Sequence, residues 1–258
     1  MPRTPLTRRV ELTLQMTLNY CILTVMVQKG LLPGRTRKKK VLLADPHPLT
    51  RQGLMTLLED LPGFIVCAQT TDARSTMAAV SSQKPDLAIV DLSLPDKPGI
   101  DLIEHLKTTR PTLRILVLTM QDEVVYAERT LKAGATGYVM KTADLPAITA
   151  AIESVSEDRV YLSPAMTEHT LRRLAGKGST DEETAIASLS DRQLQVLRLV
   201  AEGLGPKAIA KRLHVATKTV ETHRDHIRQK LGLKSAQELR RYAIRWARTS
   251  KPGPPTIR

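Results

Sequence analysis

Short apolar runs recur through the middle of the chain at Val41 to Ala44, Phe64 to Ala68, Leu87 to Val90, Ile115 to Leu118 and Gly137 to Met140. Segments with helical periodicity lie between them, near 49–60, 72–83, 99–109, 122–134 and 143–156. Four or five apolar residues bounded by polar ones suit a strand buried on both faces, and the longer periodic stretches suit amphipathic helices. Five such units in succession predict an α/β fold, a doubly wound five-stranded parallel sheet with right-handed crossovers.

Beyond the last unit, 163–174 again has helical spacing, and 175–187 (AGKGSTDEETAIA) has the composition of a linker. Ser190 with Gln193 makes a capping box, followed by an apolar stripe from Leu194 to Val200. Pro206 suits the first turn of a second helix, a longer helix is expected from Thr217 to Leu231 with Gly232 as its stop, and Ser235 with Glu238 opens a fourth. The pattern predicts a small all-α four-helix domain containing a helix-turn-helix. The expected organisation is a basic, poorly ordered extension at 1–38, an α/β domain at 39–157, a linker with a helical segment at 158–185, the helical domain at 186–250 and a tail at 251–258. Within the extension, the apolar run 16–27 is shorter than the roughly 20 residues of a spanning helix and lacks a small-residue cleavage pattern after it.

Composition narrows the classes. With 258 residues, 41% apolar and 25% charged, the chain is ordinary globular material. Cys21 and Cys67 are too few and too far apart for a metal knuckle or a disulfide framework, which suits a reducing cytoplasm. One Trp, one Phe and five Tyr leave little with which to stack single-stranded bases. The net charge of +13 is uneven: residues 1–40 carry +8, 41–185 carry −6 and 186–258 carry +11. A basic helical segment tied to an acidic domain suggests a polyanion-binding module under separate control.

The ligand site of a doubly wound sheet lies at the carboxyl ends of its strands. There the chain carries Asp45, Asp91, Thr119 and Lys141, after strands one, three, four and five. Two carboxylates, a hydroxyl and an ammonium on one rim are what aspartyl-phosphate chemistry needs. One carboxylate is the nucleophile, another helps hold Mg²⁺, the ammonium offsets developing charge and the hydroxyl donates to a product oxygen.

The segments VLLADPHPLTRQGL (41–54), PDLAIVDLSLPDKPGIDLIEHL (85–106), RILVLTMQ (114–121) and LKAGATGYVMK (131–141) resemble the receiver domain of bacterial two-component response regulators. The resemblance implies strand order 2-1-3-4-5, with Asp91 the phospho-acceptor, Thr119 the switch hydroxyl, Tyr138 the switch aromatic and Lys141 the phosphate-pairing lysine. It implies a Mg²⁺ site at Asp45, Asp91 and the Ser93 carbonyl. In one respect the chain departs: the family usually has two adjacent acids after strand one, and here the pair is Asp45-Pro46. Losing an anionic ligand weakens a site for a hard cation.

On the longer helix of the second domain, Val220, His223, Ile227 and Leu231 are expected to face inward, leaving Lys218, Glu221, Thr222, Asp225, Arg228 and Gln229 outward. Such a helix fits the major groove of double-stranded DNA, with Lys207, Lys211, Lys218, Arg224 and Lys230 as candidate phosphate contacts. LSDRQLQVLRLVAEGLGPKAIAKRLHVATKTVETHRDHIRQKLGL (189–233) is similar to the LuxR-type helix-turn-helix of NarL/FixJ regulators. That similarity implies base-facing positions for Glu221, Thr222 and Asp225, with Thr219 also on the DNA side. Ala216 replaces the usual Ser or Thr cap of the recognition helix.

Together these features imply a cytoplasmic, non-enzymatic transcriptional response regulator. It is expected to be phosphorylated by a sensor histidine kinase, to be a homodimer when active, to bind duplex DNA and to have no small-molecule substrate. Two alternatives stand beside it: the same regulator with a degenerate, phosphorylation-independent receiver, and a hydrolase using Asp91 as nucleophile.

Overall fold

A computed structural model describes residues 37–175 and 181–249. All but the last two residues of the expected extension, and the tail, lie outside the described residues. Five parallel strands, β1 (Lys39–Ala44), β2 (Phe64–Thr70), β3 (Leu87–Val90), β4 (Arg114–Thr119) and β5 (Gly137–Met140), form one sheet in the order β2-β1-β3-β4-β5. The connections between strands are α1 (Pro48–Asp60), α2 (Ala73–Gln83), α3 (Gly99–Thr109) and α4 (Glu123–Lys132), and α5 (Leu145–Ser156) follows β5. Sheet, order and parallel pairing match the sequence expectation.

Strand alternation sends successive residues to opposite faces. Val41, Leu43, Ile89, Leu116, Leu118 and Val139 meet Leu54 and Leu58 of α1 and Ile148, Ile152 and Val155 of α5. Leu42, Val90, Ile115, Val117 and Tyr138 meet Val80 of α2, Leu102, Ile103 and Leu106 of α3 and Tyr126 and Ala127 of α4. The three inner strands are buried along almost their whole length, as their unbroken apolar runs require. Edge strand β2 is half-buried and its register with β1 slips between Val41 and Leu42. At Gly99 a Cβ would sit 2.5 Å from the Leu92 Cα, so only glycine lets α3 begin this close to the chain leaving β3.

The remaining helices are α6 (Pro164–Leu174), α7 (Asp181–Ala187), α8 (Asp191–Ala201), α9 (Pro206–Leu213), α10 (Thr217–Lys230) and α11 (Ala236–Thr249). The segment read as linker thus ends in a helix: 181–187 is helical, and Ile186 is buried against the rest of the molecule, an anchor that linker composition hides. The capping box of Ser190 and Gln193 forms as expected. That of Ser235 forms by half: Ser235 Oγ accepts from the Glu238 amide, while the Glu238 carboxylate accepts from the Lys234 amide. Leu194, Leu197, Ile209, Val220, Ile227, Leu239 and Trp246 make the core of α8 to α11, continuous with the face of the sheet that α4 covers.

Candidate functional site

The residue after β1, Asp45, the residue after β3, Asp91, and the last residue of β4, Thr119, are all at most 3% exposed. Thr119 Oγ1 donates to Asp91 Oδ1 at 2.6 Å, and the Ser93 amide donates to the same oxygen at 3.1 Å. Lys141 follows β5 and its ammonium bridges the two carboxylates, 2.5 Å from Asp45 Oδ2 and 2.7 Å from Asp91 Oδ2. All four strand-end groups therefore converge. Buried carboxylates need such a partner, because an isolated buried charge is very costly.

His47 joins them, although the motif reading passed over it. Its Nδ1 lies 3.0 Å from Asp45 Oδ1 and 3.6 Å from Asp91 Oδ2. Its position between two prolines, two residues after a strand-end acid, was the available signal. The Asp45 and Asp91 carboxylates and His47 Nδ1 all lie within 4.8 Å of one another, so the donor set fits one divalent cation. No carboxylate comes from position 46, which is proline.

A chain of contacts leads from the pocket to α4. Gln121 donates through Nε2 to Ser93 Oγ at 3.2 Å, and its amide lies 3.4 Å from Thr119 Oγ1. Its carbonyl accepts from the Tyr138 hydroxyl at 2.8 Å. The Tyr138 ring is fully buried, which pushes its phenol well above the ordinary value. Asp122 caps α4 through the Val124 amide.

In the helical half, α10 turns an exposed row to solvent: Lys218, Thr219, Glu221, Thr222 and Asp225. Lys207 and Lys211 of α9 are exposed beside it. Glu221, Arg224, Asp225 and Arg228 share a shallow concavity with Pro206, Ala236 and Leu239. Asp225 accepts from Arg228 at 2.6 Å, so these two act as a pair. Lys230, also exposed, donates through its ammonium to the Ser188 carbonyl at 2.7 Å and to Gln193 Oε1 at 3.0 Å and thereby ties the end of α10 to the start of α8. Ala216 caps α10 without a side-chain bond. His223 is half-buried with its Nδ1 enclosed and without a hydrogen-bond partner, and burial pushes its imidazole below the ordinary value, assisted by Arg192 and His226.

Comparison with known proteins follows this division. Residues 41–153 match the response regulator receiver domain, and 187–243 match the bacterial regulatory proteins of the luxR family. The oxygen regulatory protein NreC of Staphylococcus epidermidis is 34% identical over 211 residues, 80% of this chain and 97% of the relative. That of Staphylococcus carnosus is 34% identical over 210 residues with the same coverage. This chain belongs to the NarL/FixJ-type two-component response regulators. Among solved structures, Salmonella enterica serovar Typhimurium RcsB, bound to promoter rprA in the presence of a phosphomimetic, aligns at 26% identity with TM-score 0.61, covering 80% of this chain and 98% of that one. A LuxR-family regulator from Aurantimonas sp. SI85-9A1 aligns at 31% identity and TM-score 0.51, covering 54% and 99%.

In this response regulator the LuxR-type domain rests on the receiver through α4. The Arg129 guanidinium donates to Asp191 Oδ1 at 2.9 Å, to the Ala187 carbonyl at 2.9 Å and to the Ile186 carbonyl at 3.2 Å. Arg198 of α8 lies over the Tyr126 ring, 5.4 Å from its centroid. The exposed face of α10 is not part of this contact. No motif names these residues, because the pairing joins positions 62 and 72 residues apart on surfaces that look merely charged.

Proposed function

We propose that this response regulator binds duplex DNA through α10 and that phosphorylation of Asp91 by a sensor histidine kinase controls the binding. The carrying observation is the Asp91 carboxylate, buried, with one oxygen on Thr119 and the other on Lys141. In the transfer, an Asp91 oxygen attacks phosphorus and the bond from phosphorus to the donor imidazole nitrogen breaks. The electron pair leaves with the imidazole, which takes a proton from water. The Lys141 ammonium balances charge on the phosphoryl oxygens, and the Thr119 hydroxyl turns from Asp91 Oδ1 to donate to one of them. A divalent cation held by Asp45 and Asp91 supplies further charge stabilisation when bound.

A phosphoryl oxygen that draws Thr119 toward it disturbs Gln121, the Tyr138 hydroxyl bond and the start of α4. Because α4 carries Arg129 and Tyr126, the signal ends at the grip on the LuxR-type domain, whose release favours a DNA-bound homodimer. RcsB bound to promoter DNA supports the DNA reading by analogy of fold. A cytoplasmic location follows, and among the described residues no helix is long and apolar enough to cross a membrane.

A phosphorylation-independent receiver is the second reading, favoured by Pro46 and by an ammonium that already bridges both carboxylates. The hydrolase reading is disfavoured because Asp96, the nearest further acid along the chain, uses its carboxylate to accept from the Ala73 and Arg74 amides at the start of α2. Acetyl phosphate with a divalent cation should label the wild type and not Asp91→Ala, and labelling should raise duplex affinity. Binding should weaken with salt at a slope of about −0.9 per phosphate neutralised, four to six in all. Unlabelled protein that still binds DNA selects the second reading, and a flat salt response removes the DNA reading.

A further inference from the structure

The short helix α7 ends in carbonyls that the helix itself cannot fully satisfy, and two cations from different parts of the molecule take them in succession. Arg129 of α4 donates to the Ile186 and Ala187 carbonyls at 3.2 and 2.9 Å. Lys230, the last residue of α10, donates to the next carbonyl, that of Ser188, at 2.7 Å. The same two side chains also hold the start of α8. Arg129 bonds Asp191 Oδ1 at 2.9 Å, and Lys230 bonds Gln193 Oε1 at 3.0 Å. The receiver and the end of α10 thus grip one turn, each at both of its ends.

That turn is stiff enough to carry a displacement. Planar peptides fix the spacing of neighbouring Cα atoms, so the Ala187 and Ser188 carbonyls cannot move far independently. Ile186 and Leu189, on either side of them, are buried. Beyond them the capping box closes the turn, because Gln193 Oε1 accepts from the Ser190 amide at 2.9 Å as well as from Lys230. α10 depends on this end. Its first turn has no side-chain cap, and the Thr222 and Arg228 side chains bond within the helix. Its 14 residues span about 21 Å as one rigid rod, so a tilt at Lys230 reaches Lys218, Glu221 and Thr222 toward the other end.

We propose that Lys230 is a positioning residue for base reading by α10, and that the turn 186–193 couples it to Arg129, so that the receiver's grip sets the angle at which α10 meets DNA. The inference rests on the reading of α10 as a DNA-binding helix under receiver control, and it adds the route by which control arrives. Arg129 holds the turn, the turn holds Lys230, and Lys230 holds the helix. Lys230 acts here through the protein and is not one of the phosphate contacts.

Amide hydrogen exchange of the full unphosphorylated chain tests the coupling without DNA. Arg129→Ala is expected to quicken exchange about 10-fold at 227–231, an end of α10 that none of Arg129's described bonds reaches, with 239–246 of α11 unchanged. In Lys230→Met, which keeps the aliphatic stem, 227–231 should already exchange quickly, and adding Arg129→Ala should change it by less than about 2-fold. Duplex binding tests the positioning, with a duplex selected from a random pool compared against an unrelated one. Lys230→Met should lower the ratio of the two affinities about 10-fold at an unchanged salt slope, and Lys230→Arg, which keeps a cation with several donors, should return it to within about 3-fold of wild type. Circular dichroism checks folding; if Lys230→Met does not fold, exchange in Arg129→Ala and binding by Lys230→Arg decide. Independent effects of the two substitutions at 227–231, or uniform quickening of α8 to α11, overturns the proposal. So does an equal loss on both duplexes with a salt slope reduced by about 0.9, which would make Lys230 a phosphate contact. Wild type that binds neither duplex overturns the DNA reading instead, and exchange still decides the coupling.

Discussion

The two charged regions of this regulator are built in opposite ways. In the receiver pocket, two carboxylates and an ammonium are buried and matched to one another at 2.5 and 2.7 Å. On α10 and α9 the charges stand in solvent, most of them directed at nothing within the described residues, with Asp225 and Arg228 paired. The first arrangement is closed, so adding one phosphoryl group forces its members to move. The second is open, and an external polyanion can meet it without rearrangement. Burial therefore divides the molecule into a part that responds and a part that binds, and α4 joins them.

The sharpest way to break the comparison is to remove the counter-charge from the closed pocket. Lys141→Ala leaves Asp45 and Asp91 buried side by side, and truncating one member of a buried ionic cluster costs about 3 kcal/mol. Urea unfolding of the receiver should show that loss, and a divalent cation should restore part of it. A loss below about 1 kcal/mol would mean that water already reaches the carboxylates. Removing one exposed cation of the open surface, as in Lys211→Ala, should leave stability unchanged within about 0.5 kcal/mol.

The next test is the joint between the halves. Arg129→Ala deletes the bonds to Asp191 and to the Ile186 and Ala187 carbonyls, an expected loss of about 1–2 kcal/mol for a partly buried, charged donor. Hydrogen exchange should quicken at residues 186–191, and unphosphorylated protein should bind DNA more tightly. Unchanged exchange there would remove α4 as the carrier of the signal.

The sequence revealed what is periodic or what ends a strand. The sheet could be read because apolar runs such as Leu87 to Val90 have one stable use, and Asp45, Asp91, Thr119 and Lys141 because their polarity stands out at the run ends. Hidden were contacts that depend on how elements meet. Arg129 and Asp191 are ordinary surface residues until α4 and α8 touch, and Ile186 looked like part of a linker because its neighbours are acidic. His47 reaches the pocket only because the chain turns after β1, which brings its Nδ1 within 3.0 Å of Asp45 Oδ1. The tie from Lys230 to the start of α8 had no sequence signal, since its partners are a carbonyl and an amide oxygen.

A smaller effect is expected on the open surface. Glu221 is exposed on the reading face and can accept from cytosine N4 in the major groove. Glu221→Ala should cost about 1 kcal/mol of discrimination at one base pair and leave overall affinity nearly unchanged. Competition binding against single-base variants of a selected duplex measures it. A uniform loss across all sequences would show that another face of α10 reads the bases.

The smallest expected effect lies inside the binding half and shows that its openness is confined to its surface. Burial holds His223 below its ordinary value of 6.5, with Arg192 and His226 acting in the same direction. The folded domain therefore resists a proton that the unfolded chain accepts. As pH falls through 6.5 the unfolded state binds more protons, and the stability present above that value is progressively lost until the folded-state histidine also titrates. Trp246, the sole tryptophan and 5% exposed within this domain, reports the unfolding. Denaturation followed by its fluorescence should give a midpoint that declines between pH 7.5 and 5.5, and the decline should be shallower in His223→Gln. An identical slope in the variant would assign the acid sensitivity to other groups and leave His223 with a packing role alone.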